Sequence, residues 1–229
     1  MSTLHKDLGH SFVLSLDKSD FHESMVSGVD LVLDQIVKEG VLKEGVLKDI
    51  PIFGTLYKIA KAGSNVRDIL FARKLAKFLY QLGDIPQETR CRFVKSIRDK
   101  SDQCQKVGEG VILLLERSDD MEKPKIIGKL FSNFVLSRID LETFFRLAQI
   151  VDRSHLPDLK LLATKHNNPF LNQWLTPIQI ETLYNLGLLS VKLIDTTRVS
   201  LLNGLREKGA SDMEYQVNDL ALLLVQMAF

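Results

Sequence analysis

Apolar positions along the chain recur mostly at three- and four-residue steps, the period of helices packed on one side. Asp20 and Glu23 stand at a spacing close to a capping box. Behind them Phe21, Met25, Val29, Val32 or Leu33, and Ile36 form one face, which predicts a helix of about 18 residues. A tandem KEGVL-KEGVL follows over 38–47. Two copies are too few for a solenoid, and Gly40 and Gly45 interrupt helix propagation. A turn and a short helical piece are expected there, closed by Pro51.

The next helix is predicted over 64–82, from Val66, Ile69, Leu70, Leu75, Phe78, Leu79 and Leu82. Gly83-Asp84-Ile85-Pro86 ends it and opens another over 86–99, since proline suits a first turn. Helix 102–117 contains Gly108 and Gly110, each costing roughly 1 kcal/mol relative to alanine. Their expected use is close packing against a neighbouring helix. Helix 120–137 accepts Pro124 because it lies in the first turn. Asp140 caps 141–152, and Pro157 opens 157–166.

The last third changes character. Asn167-Asn168-Pro169 signals a turn. Thr176-Pro177-x-Gln179 puts a cap, a first-turn proline and a capping-box glutamine in order. That helix ends at Gly187. Ser190–Ile194 alternates like a strand, Met213–Val217 is a second short strand, and Asn218 can cap a final helix over 219–228. The expectation is a mainly α protein. It has an N-terminal segment over 1–19, a multi-helix body over 20–168, and a small C-terminal α/β, winged-helix-like module over 169–229.

Composition changes little in this picture. Apolar residues at 45% and charged residues at 26% of 229 fit an ordinary folded chain with its own core. Cys91 and Cys104 form no CxxC pair, and the five histidines supply no zinc spacing, so free thiols in a reducing compartment are expected. The N-terminal MSTLHKDLGHSFVLSL lacks the layout of a secretory signal, and no apolar run approaches the roughly 18 residues that span a bilayer. A cytoplasmic location is expected.

Charge changes the picture more. The net charge of +1 argues against a simple electrostatic nucleic-acid binder. Counted by segment it is uneven. Residues 51–100 carry 11 bases and 4 acids, while 1–50 carry 5 and 9, and 101–229 carry 14 and 16. Within 51–82, Lys58, Lys61, Arg67, Arg73, Lys74 and Lys77 face the single acid Asp68, interleaved with Phe53, Leu56, Tyr57 and other apolar residues. This is the pattern of a basic amphipathic helix. It suits a partner groove or an anionic membrane surface, and equally a core helix with a basic solvent face.

Catalytic patterns are sparse. Gly128-Lys129 lacks the phosphate loop around it, and Gly108-x-Gly110 lacks a preceding strand and a third glycine. Asp119-Asp120-x-Glu122 is not calcium-loop spacing and reads instead as acids at the positive end of a helix. His155 near Asp152 and Asp158 has no nucleophile in sequence reach. The helix at 177–188 holds Glu181 and no base, and the following hairpin offers only Lys192, Arg198, Arg206 and Lys208, which argues against a DNA-reading helix.

The runs Leu47–Thr55 and Ser64–Asp68 resemble an uncharacterised family of small, mainly helical bacterial proteins. So do Lys106–Leu115, Asp119–Pro124, Ile127–Phe131 and Leu156–Leu159. The likeness covers roughly 40–162. It implies a bacterial cytoplasmic setting and a shared helical fold, with no established activity or catalytic residue. Proteins of this kind are sometimes carried on mobile elements, which implies a setting of phage or element conflict.

The reading these observations favour is a non-enzymatic interaction or regulatory protein without a cofactor. Its contact surface is the basic amphipathic segment, through Lys58, Lys61, Arg67, Arg73, Lys74, Lys77, Phe53, Leu56 and Tyr57, and its partner is another protein. The alternative is a membrane-surface effector that uses the same segment, peripheral to the inner membrane.

Overall fold

The structure is a computed structural model and describes residues 3–19, 51–52, 54, 66–99, 101–168, 171–195 and 211–229. The expected helix behind Asp20, the KEGVL repeat, Phe53, residues 55–65 and the hairpin connection 196–210 lie outside the described residues. The chain divides into two compact units, Met1–Asp152 and Arg153–Phe229.

The first unit is helical: α1 (Thr3–Leu16), α2 (Val66–Tyr80), α3 (Gln87–Arg98), α4 (Ser101–Arg117), α5 (Lys123–Val135) and α6 (Leu141–Arg153). The sequence reading assigns no element to 1–19, yet those residues form α1. Gly9 and two histidines depress its helix propensity. Packing forms it, because Leu8, Phe12, Val13 and Leu16 are all buried along one side. Helix α2 ends two residues earlier than its apolar pattern. The amides of Gln81, Leu82 and Gly83 bond three residues back, to Phe78, Leu79 and Tyr80, which tightens the last turn before Gly83.

An aromatic cluster centres on Phe131 of α5. Its ring lies 5.4 Å from Phe12, 5.5 Å from Phe78, 5.8 Å from Phe93 and 5.3 Å from Phe144, so one side chain joins α1, α2, α3 and α6. Most of these contacts are edge-on, the arrangement that the aromatic quadrupole favours. The glycines of α4 perform the expected close packing. A Cβ at Gly108 would lie 2.5 Å from the Gly9 carbonyl oxygen, and one at Gly110 would lie 2.6 Å from the Phe145 ring.

Among the described residues, Arg90 of α3 is the largest buried polar side chain. Its Nε donates to the Leu16 carbonyl at 3.1 Å, one terminal nitrogen to Lys18 O at 3.2 Å and the other to Ile85 O at 3.2 Å. The guanidinium therefore caps the carbonyl end of α1, where the helix dipole is negative. Burial lowers its pKa, but an arginine stays charged in a folded protein.

The second unit contains α7 (Leu156–Lys165), a 3-10 turn (Leu171–Gln173), α8 (Pro177–Asn185), β1 (Leu189–Asp195), β2 (Ser211–Val217) and α9 (Asp219–Ala228). The fold is thus mainly α with a small C-terminal two-stranded element, as the pattern predicts. Strands β1 and β2 pair antiparallel, with Leu189 opposite Val217, Val191 opposite Tyr215 and Lys192 opposite Glu214. Thr176 and Gln179 form the full capping box of α8, and Gly187 ends that helix at φ +76°. Asn218 caps α9 by accepting from the Ala221 amide at 3.0 Å, and its side-chain amide donates to Gly187 O at 2.8 Å.

Candidate contact surface

Helix α2 carries the described part of the basic segment. Its inward side is Ala72, Leu75, Ala76, Phe78 and Leu79, all buried. Its outward side is Val66, Leu70, Arg73, Lys77 and Tyr80, at steps of four and three residues that keep one stripe. Val66 is 68% exposed, Leu70 41% and Tyr80 56%. The apolar pattern places Val66 and Leu70 with the core, and the structure turns them out. The small residues Ala72 and Ala76 take the inward positions instead. Two alanines one turn apart were the available sequence signal of the close-packed side.

Three bases of α2 are engaged within the unit. Arg67 donates to Glu116 Oε1 at 2.8 Å. Lys74 donates from Nζ to the carbonyls of Glu116 and Ser118, at the negative end of α4. Lys77 pairs with Glu122 Oε1 at 3.0 Å, and Lys125 holds the other oxygen at 3.0 Å. Arg73, half-buried, makes no hydrogen bond or ion pair among the described residues.

These contacts converge on the turn between α4 and α5, where the acids of 116–122 lie. Lys123 is buried there, 2.6 Å from Asp119 Oδ1 and 2.9 Å from the Asp152 carbonyl. Arg117 pairs with Asp152 at 3.1 Å. The Lys123 ammonium holds the Asp119 carboxyl below its ordinary range, and Lys125, then Lys77, do the same for Glu122. The acidic cluster near 120 thus answers the bases of α2 as well as the start of α5.

Lys58, Lys61, Phe53, Leu56 and Tyr57 lie outside the described residues. Ile52, just before them, is fully buried, and its amide donates to Ser15 Oγ at 2.9 Å. The start of the basic segment is therefore anchored to α1. In the second unit His155 Nδ1 lies 3.4 Å from Asp158 Oδ2, and Gln179 donates to the other Asp158 oxygen at 2.8 Å. The buried Asp158 thereby ties the starts of α7 and α8 together, and no nucleophilic side chain joins the pair among its described hydrogen bonds. Cys91 and Cys104 are free thiols. A hydrogen bond with Asp17 raises the Cys91 pKa, which lowers its thiolate fraction.

Among the described residues no group of three or more His, Cys, Asp or Glu can hold a metal ion. No helix among them is long and apolar enough to cross a membrane. Compared with models of known protein families, with curated proteins and with solved structures, the chain matches none.

Proposed function

We propose that this chain is a non-enzymatic interaction protein whose contact surface is the outward stripe of α2. The observation that carries the reading is the joint exposure of Val66, Leu70 and Tyr80 along one stripe that also holds Arg73. Apolar side chains aligned on a solvent-facing helix are a docking pattern when they recur at helical spacing. A second copy of the same stripe would bring Arg73 and Lys77 against like charge, so the partner's matching face is apolar with a carboxylate.

A membrane-surface role through α2 has less behind it. Surface attraction grows with each outward base, and Arg67, Lys74 and Lys77 are already held by the α4–α5 turn. The resemblance over 40–162 supports a bacterial cytoplasmic setting, with element conflict as one context for a regulatory contact.

Photo-crosslinking tests the proposal, with benzoylphenylalanine placed at Leu70 or at Tyr80 in the producing cell. A discrete crosslinked protein that disappears when Arg73→Glu is added supports it. No discrete product from either position, or one indifferent to Arg73→Glu, overturns it. Flotation with anionic and neutral vesicles distinguishes the membrane role, which requires binding that depends on anionic lipid and weakens with salt.

A further inference from the structure

Lys106 of α4 and five residues of α6, Leu141, Glu142, Phe145, Arg146 and Gln149, line an open cleft of about 680 Å³. The cleft is open to solvent along one side. The α6 residues occupy one outward side of their helix, at steps of four residues with a parallel row one residue on.

Leu141 and Phe145 supply the apolar part of the cleft. Phe145 is half-buried, and its Cε1 and Cζ fill the space that a side chain at residue 110 would need. Its ring centroid also lies 5.0 Å from that of the fully buried Phe144. Gly110 is therefore the seat of this ring, which gives a helix-interior glycine a use that offsets its low propensity. The apolar wall is held against the core.

The charged part is Lys106, Arg146 and Glu142. Lys106 is exposed and makes no hydrogen bond or ion pair among the described residues. Arg146 pairs with Glu142 Oε1 at 3.0 Å, one turn apart and with both side chains exposed. Such pairs are weak and exchange readily. The lining thus holds two cations against one carboxylate, with an apolar wall beside them.

We propose that this cleft binds an apolar group that ends in a carboxylate. The apolar body lies against Phe145 and Leu141. The carboxylate pairs with Lys106 and competes with Glu142 for Arg146, whose planar guanidinium suits bidentate contact. A free alkyl acid and the C-terminus of an apolar peptide both present this chemistry. The site is separate from the α2 stripe and does not depend on the function proposed there.

The test is nitrogen-15 NMR of the full chain, titrated with decanoate and, separately, with acetyl-Ala-Leu-Phe bearing a free C-terminal carboxylate. At least one acid should produce saturable shifts in the Gln149 side-chain amide and the Phe145 backbone amide. Lys106→Glu, an exposed change, should weaken that binding by about fivefold. Gly110→Ala, which displaces the ring, should weaken it as well. Saturation by decanoate alone assigns the free acid, and saturation by the peptide alone assigns the peptide terminus. Three results overturn the proposal: neither probe saturates, Lys106→Glu leaves the affinity unchanged, or decanol and the peptide amide bind as well as the acids.

Discussion

Gly9 of α1 and Gly108 of α4 bring two helix backbones into direct contact. A Cβ on either residue would lie within 2.8 Å of backbone atoms of the other helix. Backbone cannot swing aside as a flexible side chain does. On a helix with open space around it, glycine to alanine stabilises by about 1 kcal/mol. Here overpacking outweighs that gain, since forced displacement of packed elements costs about 1–3 kcal/mol. Gly108→Ala should therefore lower the urea midpoint. A raised midpoint would show that α1 does not cross α4 this closely.

Arg90 offers a second test of how α1 is held. Arg90→Met keeps much of the volume but leaves the buried carbonyls of Leu16 and Ile85, and the more exposed one of Lys18, without this donor. Unpaired buried groups cost about 1–3 kcal/mol each when not rehydrated. A loss of about 3 kcal/mol in chemical denaturation is expected, and α1 amides near Leu16 should exchange faster. Arg90→Lys should recover only part of the loss, because a single ammonium on a shorter reach cannot serve three carbonyls in the guanidinium's fork geometry.

The acids of the α4–α5 turn make stability depend on pH in a stated direction. Asp119 and Glu122 have lowered pKa values in the folded chain. A depressed carboxyl binds fewer protons folded than unfolded, so its contribution is full above the unfolded value, near 4, and fades as pH falls through the folded one. Denaturation midpoints should therefore drop as pH is taken from about 5 toward 3. Glu122→Gln should flatten that drop, since Lys77 and Lys125 lose their shared carboxylate. An unchanged slope in the variant would remove Glu122 from the network.

The second unit can be followed by its own reporter. Trp174 is the only tryptophan of the chain and stands just before the α8 cap. Thr176→Ala removes the hydroxyl that accepts from the Gln179 amide at 3.4 Å. The expected loss is about 1 kcal/mol, the usual worth of an N-cap. Trp174 fluorescence during urea unfolding should register it as a lower midpoint. Gln179 also donates to the buried Asp158, so Gln179→Ala should cost more than Thr176→Ala.

Local chemistry was legible in residue order. The capping residues Asp140, Thr176 and Asn218 and the first-turn prolines Pro157 and Pro177 set helix starts to within a residue of where they are expected, while the helix of Pro124 starts at Lys123, three residues after the expected 120. The alternation at 190–194 and 213–217 was enough to predict the hairpin strands. These features depend on neighbours within a few residues, so one stretch of sequence contains all the physics involved. Helix α1 was missed because its propensity is poor and its stability comes from α4, about a hundred positions along the chain.

The proposed contact surface was only half legible for the same reason. The sequence by itself determined that residues 51–82 carry six bases against one acid with apolar residues between them, and that a helix starts just after the acids near 120. Which side of α2 faces the core depends on the fit of Ala72 and Ala76 against their neighbours, and that turned Val66 and Leu70 outward. Which bases remain available depends on Glu116, Ser118 and Glu122, some 45 residues away. Charge pairing over such a separation is decided by helix packing, so among the described bases of α2 only the tertiary structure could distinguish Arg67, Lys74 and Lys77, which are engaged within the unit, from Arg73.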